Sequence, residues 1–399
     1  MIPRRRYNLE PSFLRPDAPG FPQAVKGFED ALVHFLQADD RLQARATASG
    51  RASLALLLKA LKVPCGSCVM LPAYTLGAMA PFIQALGFKP VTCDVDECRP
   101  VMTANSVERA WPERERVGCV LATHLFGFPA DVPAIKELSH SRGALVIEDC
   151  AHSIGSRLRG QATGTLADGA LFSFSYLKQV NGFGGGAAVL PSGIDVPGLP
   201  PQSPLTVAGL VTGGLLEDLM FAGPWLRIPT AMLAFDRLSG IARTVDRIVR
   251  RPPNRGFALE SMSPVQAAHG LASLDSFPGR VKRRLQVAIR ISAAAGLDTT
   301  DWLENPEITP NAYFLTLRTR DAAGFRRRLW MDGIDAGIGT EVADYVDCPG
   351  CPEHPSARRW YRETVQIPCH ETLSDRQIIR IADAVKRELD AGQASASSV

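Results

Sequence analysis

A chain of 399 residues is too long for one small core and suits two domains, or one large α/β domain with a smaller partner. Its 46% hydrophobic and 21% charged residues are those of an ordinary globular protein, which confines disorder to the ends, chiefly the Ala/Ser-rich tail after about Glu388. The net charge is only +3, and the basic residues are mostly interleaved with acids, so the electrostatic footprint of a nucleic-acid binder is missing.

From the amino terminus, the first feature is a basic cluster, Arg4 to Arg6; a second runs from Arg243 to Arg255. Each reads as a solvated face or as a landing site for an anionic substrate or a lipid surface. No apolar run reaches the length of a membrane span, and internal repeats are not evident. The nine cysteines, with no signal peptide, point to reduced thiols in a cytoplasmic setting. Two CxxC pairs, Cys65/Cys68 and Cys348/Cys351, together offer four zinc ligands in principle. Their distance along the chain, and the apolar strand that follows the first pair, favour incidental packing thiols.

Short apolar strands then alternate with helical stretches. The strands are predicted at CVMLP (68–72), KPVTCDV (89–95), GCVLATH (118–124), GALVIED (143–149), GALFSFS (169–175) and GAAVL (186–190). Uniformly apolar strands separated by segments such as PADVPAIKELSHSRG indicate a largely parallel sheet covered by helices on both faces. Ligands in such a fold bind beyond the carboxyl ends of the strands. After Leu190 the texture changes: a Pro/Gly-rich stretch to about 205 leads into an apolar segment over 204–246. Helical periodicity returns from about Met262, followed by strand-like AYFLTLRT and a closing helix that Ser374 caps. These changes place the large domain at 1–250 and a smaller C-terminal α+β domain at 251–399.

Three constellations carry chemistry. SGRASL, from Ser49, sets a small polar residue and a glycine before a helix, leaving backbone N–H groups free to form a phosphate site or simply a cap. GALVIEDCAH brings Asp149 to the sheet's carboxyl edge, where it reads either as the partner of a protonated ring nitrogen or as a solvated turn cap or metal ligand. In FSFSYLKQVNGFGGGAAVL, Lys178 sits beyond a buried strand and before a glycine-rich turn, a setting that desolvates its amine. A lone lysine there is normally a surface residue; the neighbouring motifs distinguish this one.

In this order SGRASL, LPAYTLGAMAPFIQALGFKPVTCDVD, ATHLFGFPADVPAI, VIEDCAHSIGS, FSFSYLK and GGGAAVL resemble the DegT/DnrJ/EryC1/StrS aminotransferases, which are fold-type-I pyridoxal-phosphate enzymes. The resemblance resumes at MSPVQAAHGLASL and VQIPCHETLSDRQIIRIADAV and covers most of the chain outside roughly 191–260. It implies Lys178 as the Schiff-base lysine, Asp149 as partner of the pyridine nitrogen and His152 as the residue against the ring or its phenolic oxygen. By the same resemblance Ser173 binds the phosphate, with Gly50, Arg51 and Ala52 in the turn that receives it, and His124 has a structural or pocket-lining place. Also implied are pyridoxal 5′-phosphate as cofactor, glutamate or glutamine as donor, a nucleotide-linked keto-sugar as acceptor, and a homodimer whose sites two subunits complete.

The chain departs from the family pattern at four places. Arg51 replaces a threonine, and Leu76 stands where relatives carry an aromatic ring on the cofactor, so that Tyr74 takes over or aliphatic contact replaces stacking. Gly185 replaces a glutamate in the turn after the lysine. The motif whose Asn reaches the neighbouring subunit's phosphate survives only as LESMS, leaving Asn254 upstream as a substitute if the loop is longer. Segment 204–246, with Phe221, Trp225 and Phe235, reads as a buried helix pair or dimer contact; flanked by Arg227, it reads alternatively as an apolar patch for a lipophilic acceptor or a peripheral membrane contact. A more apolar carbonyl acceptor and a non-catalytic binding or regulatory role are the competing functions. Lys178 argues against the latter.

Overall fold

A computed structural model describes residues 1–5, 21–38, 40–176, 178–222, 259–300 and 302–396. Asn254, Arg6, the Arg243 to Arg255 cluster, Trp225, Arg227 and Phe235 lie outside the described residues, as does the side chain of Phe221.

The first part of the chain runs α1 (Phe21–Phe35), β1 (Leu42–Thr47), α2 (Gly50–Ala60), β2 (Cys68–Pro72), β3 (Tyr74–Thr75), α3 (Met79–Ala85) and β4 (Lys89–Cys93). It continues through α4 (Ala104–Arg109), β5 (Val117–Thr123), α5 (Val132–Ser141), β6 (Leu145–Asp149), the short β7 (Arg157–Leu158) and β8 (Gln161–Ala162), then β9 (Gly169–Ser173), β10 (Gly186–Pro191) and α6 (Pro204–Ala222). The second part holds α7 (Pro264–Ala295), β11 (Ile308–Thr309), β12 (Leu315–Arg318), α8 (Ala322–Met331), β13 (Gly337–Ile338) and α9 (Gly339–Val342). It closes with β14 (Asp344–Tyr345), α10 (Pro355–Glu363), β15 (Thr364–Ile367) and α11 (Asp375–Ala396).

Seven strands form the central sheet in the order β1-β10-β9-β6-β5-β2-β4. Neighbours from β9 to β4 pair in parallel, and β10 alone runs against the rest, pairing antiparallel with both β1 and β9. The apolar runs form these strands because both faces of the sheet are covered. On β6, Val146 enters a core with Met70, Val120, Phe314 and Ile367, whereas Ile147 enters the opposite core with Leu54, Leu56 and Ile83. Successive strand residues point to opposite faces, so an alternating pattern would have left one of them wet.

Helix starts follow local chemistry. Ser49 accepts the N–H of Ala52 at the start of α2, and Asp131 accepts that of Ala134 in α5. Ser263 and Gln266 form a reciprocal capping box on α7, as Ser374 and Gln377 do before α11. Helix α7 belongs to two cores: its first half packs with α1 through Leu274, Phe277, Phe28 and Leu32, and its second half with α11 and the C-terminal sheet through Val287, Ile291 and Val385. A buried ion pair joins Arg284 of α7 to Glu371 at 2.7 Å and, with Arg280, holds the Glu371 carboxyl down at about 2 against its burial. Among the described residues no helix is long and apolar enough to cross a membrane. Helix α6 nevertheless exposes Leu205, Leu215 and Leu216.

Candidate active site

The topology gathers the sequence-singled residues along one sheet edge. β1, β6 and β9 end there and the antiparallel β10 begins there, so Ser49 to Ala52, Asp149, Ser173 and Gly185 become neighbours although up to 136 positions separate them. Ser49 forms a β-bridge with Gly185. A Cβ added to Gly50 would lie 3.1 Å from Ser173 Cβ and 3.6 Å from its Oγ, so the helix start and that hydroxyl form one cradle of bare backbone and side-chain oxygen. Gly185 has φ +88°, and a Cβ there would meet Met262 Cε at 2.3 Å; glycine stands at this turn for conformational and steric reasons.

Asp149 is buried, and its Oδ1 accepts the N–H of Ala151 at 3.0 Å. Burial lifts this carboxyl above its ordinary range, against the pull of that N–H and of the charge on Lys178. A carboxylate in such a place has unused acceptor capacity and gains from a cationic N–H partner. Lys178, partly buried in the cleft, is pushed below an ordinary lysine first by desolvation and then by Arg5, with Tyr313 and Asp149 pulling the other way. The Lys178 amine is hydrogen-bonded to the Tyr313 hydroxyl and lies 5.7 Å from the centre of its ring.

His152 stacks on Tyr313 at 4.3 Å between ring centres and lies parallel to Phe126 at 6.1 Å. Its Nδ1 accepts the N–H of Phe126, and desolvation, aided by Lys178 and Arg5, holds the ring far below its ordinary titration. The imidazole is therefore neutral, and its proton sits on Nε2. Asn311 fixes this turn by donating from Nδ2 to the carbonyls of His152 and Ile154 at 2.8 and 2.9 Å. A Cβ on Gly127 would strike the Asn311 Oδ1 at 2.0 Å.

Behind Asp149 lies a closed polar network. His124 Nε2 donates to Glu148 Oε2 at 3.0 Å while its Nδ1 accepts the N–H of Ala130. Glu148 also accepts the N–H groups of Gly164, Leu166 and Ala167. With Cys150 these two are the one group of three or more close potential metal ligands among the described residues. Every donor and acceptor just named is already engaged, and the Cys150 thiol is pushed far up by burial, so the network braces the strand end and has no site for an ion. Among the described residues the cysteines of the CxxC pairs form no close ligand group: Cys65 is exposed, and Cys68 donates to Glu115 at 3.0 Å.

The remaining expected residues divide. Tyr74 is fully buried, with its hydroxyl donating to the carbonyl of Gly339 and its ring edge-on to Phe126 and Tyr361, while Leu76 is 50% exposed. Arg51 is half-buried at the start of α2, and Ala52 is buried. Sequence reasoning missed Tyr313 and Asn311, and it singled out Arg5 only as a member of the basic cluster Arg4 to Arg6. Arg4 leaves the solvated-face reading behind, being buried in an ion pair with Glu341 at 2.6 Å, and Arg5 lies over Phe314 at 4.6 Å and Tyr313 at 5.7 Å. Only the strand-like run that begins at Ala312 hinted at this region, and it says nothing of side-chain placement.

The chain has counterparts among known proteins. Residues 22–194 match the model of the DegT/DnrJ/EryC1/StrS aminotransferase family. That stretch holds Gly50, Asp149, Ser173 and Lys178. The family's chemistry is amino transfer with pyridoxal 5′-phosphate, and the cradle, the under-compensated Asp149 and the desolvated Lys178 fit that cofactor's phosphate, ring nitrogen and aldehyde. The chain is 38% identical to the UDP-N-acetyl-3-dehydro-alpha-D-glucosamine 3-aminotransferase of Acidithiobacillus ferrooxidans over 143 residues, 36% of this chain and 38% of that one. It is 28% identical to the dTDP-3-amino-3,4,6-trideoxy-alpha-D-glucose transaminase of Streptomyces venezuelae over 91% of this chain and 86% of the relative. A Streptococcus pneumoniae protein described as a sugar aminotransferase, solved in its PMP form, has the same fold, with TM-score 0.72 at 18% identity over 98% of this chain and all of that one.

Proposed function

We propose that this family member aminates a keto-sugar carried on a nucleotide, taking the amino group from glutamate or glutamine. The observation that carries the reading is the hydrogen-bonded Lys178, desolvated and in electrostatic contact with Asp149 at the carboxyl edge of the sheet. The nucleotide-sugar names of the two relatives support the acceptor class.

Pyridoxal phosphate, when bound, supplies an electron sink that acidifies the carbon bearing the amino group. Each protein role follows from the site. Asp149 holds the ring nitrogen protonated, and its own burial makes that cationic partner favourable. Ser173 Oγ and the N–H groups at the start of α2 hold the phosphate, where the helix dipole favours negative charge. His152 keeps a neutral ring with Nε2–H as a donor for the phenolic oxygen. Lys178 Nζ anchors the aldehyde carbon, and as a free amine it takes and returns the substrate proton; a lowered pKa leaves more of it unprotonated near neutrality. Tyr313 and Arg5 set that pKa from opposite sides.

Residues 1–250 then act as the large cofactor-binding domain and 251–399 as the smaller C-terminal one, with α7 packed against both. A homodimer is proposed as well, its second copy covering the leucines that α6 exposes. Thiols without a disulfide suit a cytoplasmic setting.

Borohydride reduction of the protein with pyridoxal phosphate should fix the cofactor to one peptide, at Lys178, and Lys178→Ala should take up no covalent label. The visible band of the loaded enzyme should be lost in a single turnover with glutamate or glutamine. A label on another lysine sinks the assignment of the residue, and a protein that never binds the cofactor sinks the reading itself.

A further inference from the structure

The segment after β14 carries a motif that the amino-transfer reading does not use: Asp347-Cys348-Pro349-Gly350-Cys351-Pro352. It is strapped to the site's rim. Asp344 and Tyr345 pair with Thr75 and Tyr74, Val346 N–H donates to the Ala73 carbonyl at 2.7 Å, and Gly77 N–H donates to the Asp344 carboxylate at 3.1 Å. The chain then turns tightly, with Cys351 N–H donating to the Cys348 carbonyl at 3.0 Å and Gly350 at φ +81°.

The turn brings two thiols into direct contact. The two thiols interact with each other, and the N–H of Thr92 near the end of β4 donates to the Cys351 sulfur at 3.3 Å. Hydrogen-bond partners on one sulfur are the environment that favours its thiolate. Cys351 is partly exposed and Cys348 is buried beside it, the usual division between an attacking and a resolving thiol. The neighbouring thiols are of another kind. Cys68 and Cys93 are buried and pushed up to about 12 by desolvation, while Cys351 is drawn down to about 6, chiefly by the Cys348 hydrogen bond.

We propose that Cys348 and Cys351 form a thiol–disulfide exchange site whose reactant is a low-molecular-weight disulfide of the glutathione type. The Cys351 thiolate attacks one sulfur of that disulfide and expels one small thiolate. Cys348 then gives its proton to solvent, attacks the Cys351 sulfur of the mixed disulfide and expels the second. The two cysteines lose two electrons in forming one S–S bond, and the small disulfide is reduced to two thiols. Thr92 N–H thereby loses an anionic acceptor, which ties the strap between β3 and β4 to the redox state.

The test uses the full-length folded enzyme in oxidised and reduced glutathione buffers, with peptide mass mapping, and iodoacetamide alkylation followed across pH. A bridge joining 348 to 351 is expected, with Cys351 alkylation rising roughly tenfold between pH 5 and pH 7, as a thiol titrating near 6 requires. Cys351→Ser should abolish both signals. Cys348→Ser should stop at a mixed disulfide with glutathione on Cys351, and Cys93→Ser should form the bridge as the parent does. A bridge from Cys93 to Cys351, no bridge in the folded oxidised enzyme, or a Cys351 that alkylates only like an ordinary thiol at high pH overturns the proposal.

Discussion

Two adjacent acids on β6 open onto opposite regions and meet opposite fates. Glu148 points into the region behind the sheet edge, where one histidine and three backbone N–H groups saturate it. Asp149 faces Lys178, and against its burial it has a single backbone N–H, the charge of Lys178 and a smaller pull from His124. Both side chains are shielded from water, so burial does not separate brace from chemistry. Completeness does: a network with every partner in place has nothing left to give a ligand, whereas an under-compensated acid beside a desolvated amine can still lower its energy by binding one.

The sharpest way to break that contrast is at Asp149. Asp149→Asn should fold with nearly unchanged stability yet lose amino-transfer rate on the order of a hundredfold or more, because a ring nitrogen without its carboxylate is no longer held protonated. Rates near those of the parent, measured at saturating cofactor, would place the acid outside the chemistry. Glu148→Gln should do the reverse. Its amide nitrogen would face N–H donors, leaving buried groups unsatisfied at a cost of about 3 kcal/mol, read from the urea midpoint, while the folded fraction keeps its turnover. If stability holds and turnover falls, the brace reading fails.

A smaller effect sharpens the cleft side. Arg5 lowers the Lys178 amine and Tyr313 raises it, so Arg5→Ala should move the reactive amine's appearance to higher pH and Tyr313→Phe to lower pH. The measurement is the pH dependence with which the cofactor-free protein captures pyridoxal under cyanoborohydride. Shifts in the same direction would show that the two groups do not act on Lys178 as the geometry indicates.

Much of the large sheet was legible because its strands are apolar at every position and end in turn residues: the predicted runs at 68–72, 118–124, 143–149 and 169–175 fall on β2, β5, β6 and β9 within two residues at either end. The antiparallel course of β10 was not, since a buried strand has the same composition in either direction. The site divides along the same line. Gly50, Asp149 and Lys178 lie near strand ends, where the motifs around them singled them out, and Ser173 was implied by the family resemblance. Tyr313, Asn311 and Arg5 reach the cleft across more than a hundred residues of chain, and their types carry no trace of the partner they meet. Arg4 and Arg5 looked alike in sequence; packing sends one to Glu341 and the other toward the cleft. Tyr74, one of the two readings offered for the ring's neighbour, is fully buried with its hydroxyl on the Gly339 carbonyl and its ring edge-on to Phe126.

Helix α7 has a mechanical implication. One continuous rod of 32 residues is embedded at one end beside α1 and at the other beside α11. A swing of the C-terminal sheet would have to bend the helix near Pro278, where its hydrogen-bond ladder is interrupted, or draw it out of one of its two seats and expose Phe277 in its middle or Ile291 near its end to water. Any such swing is therefore coupled to repacking in both cores at once.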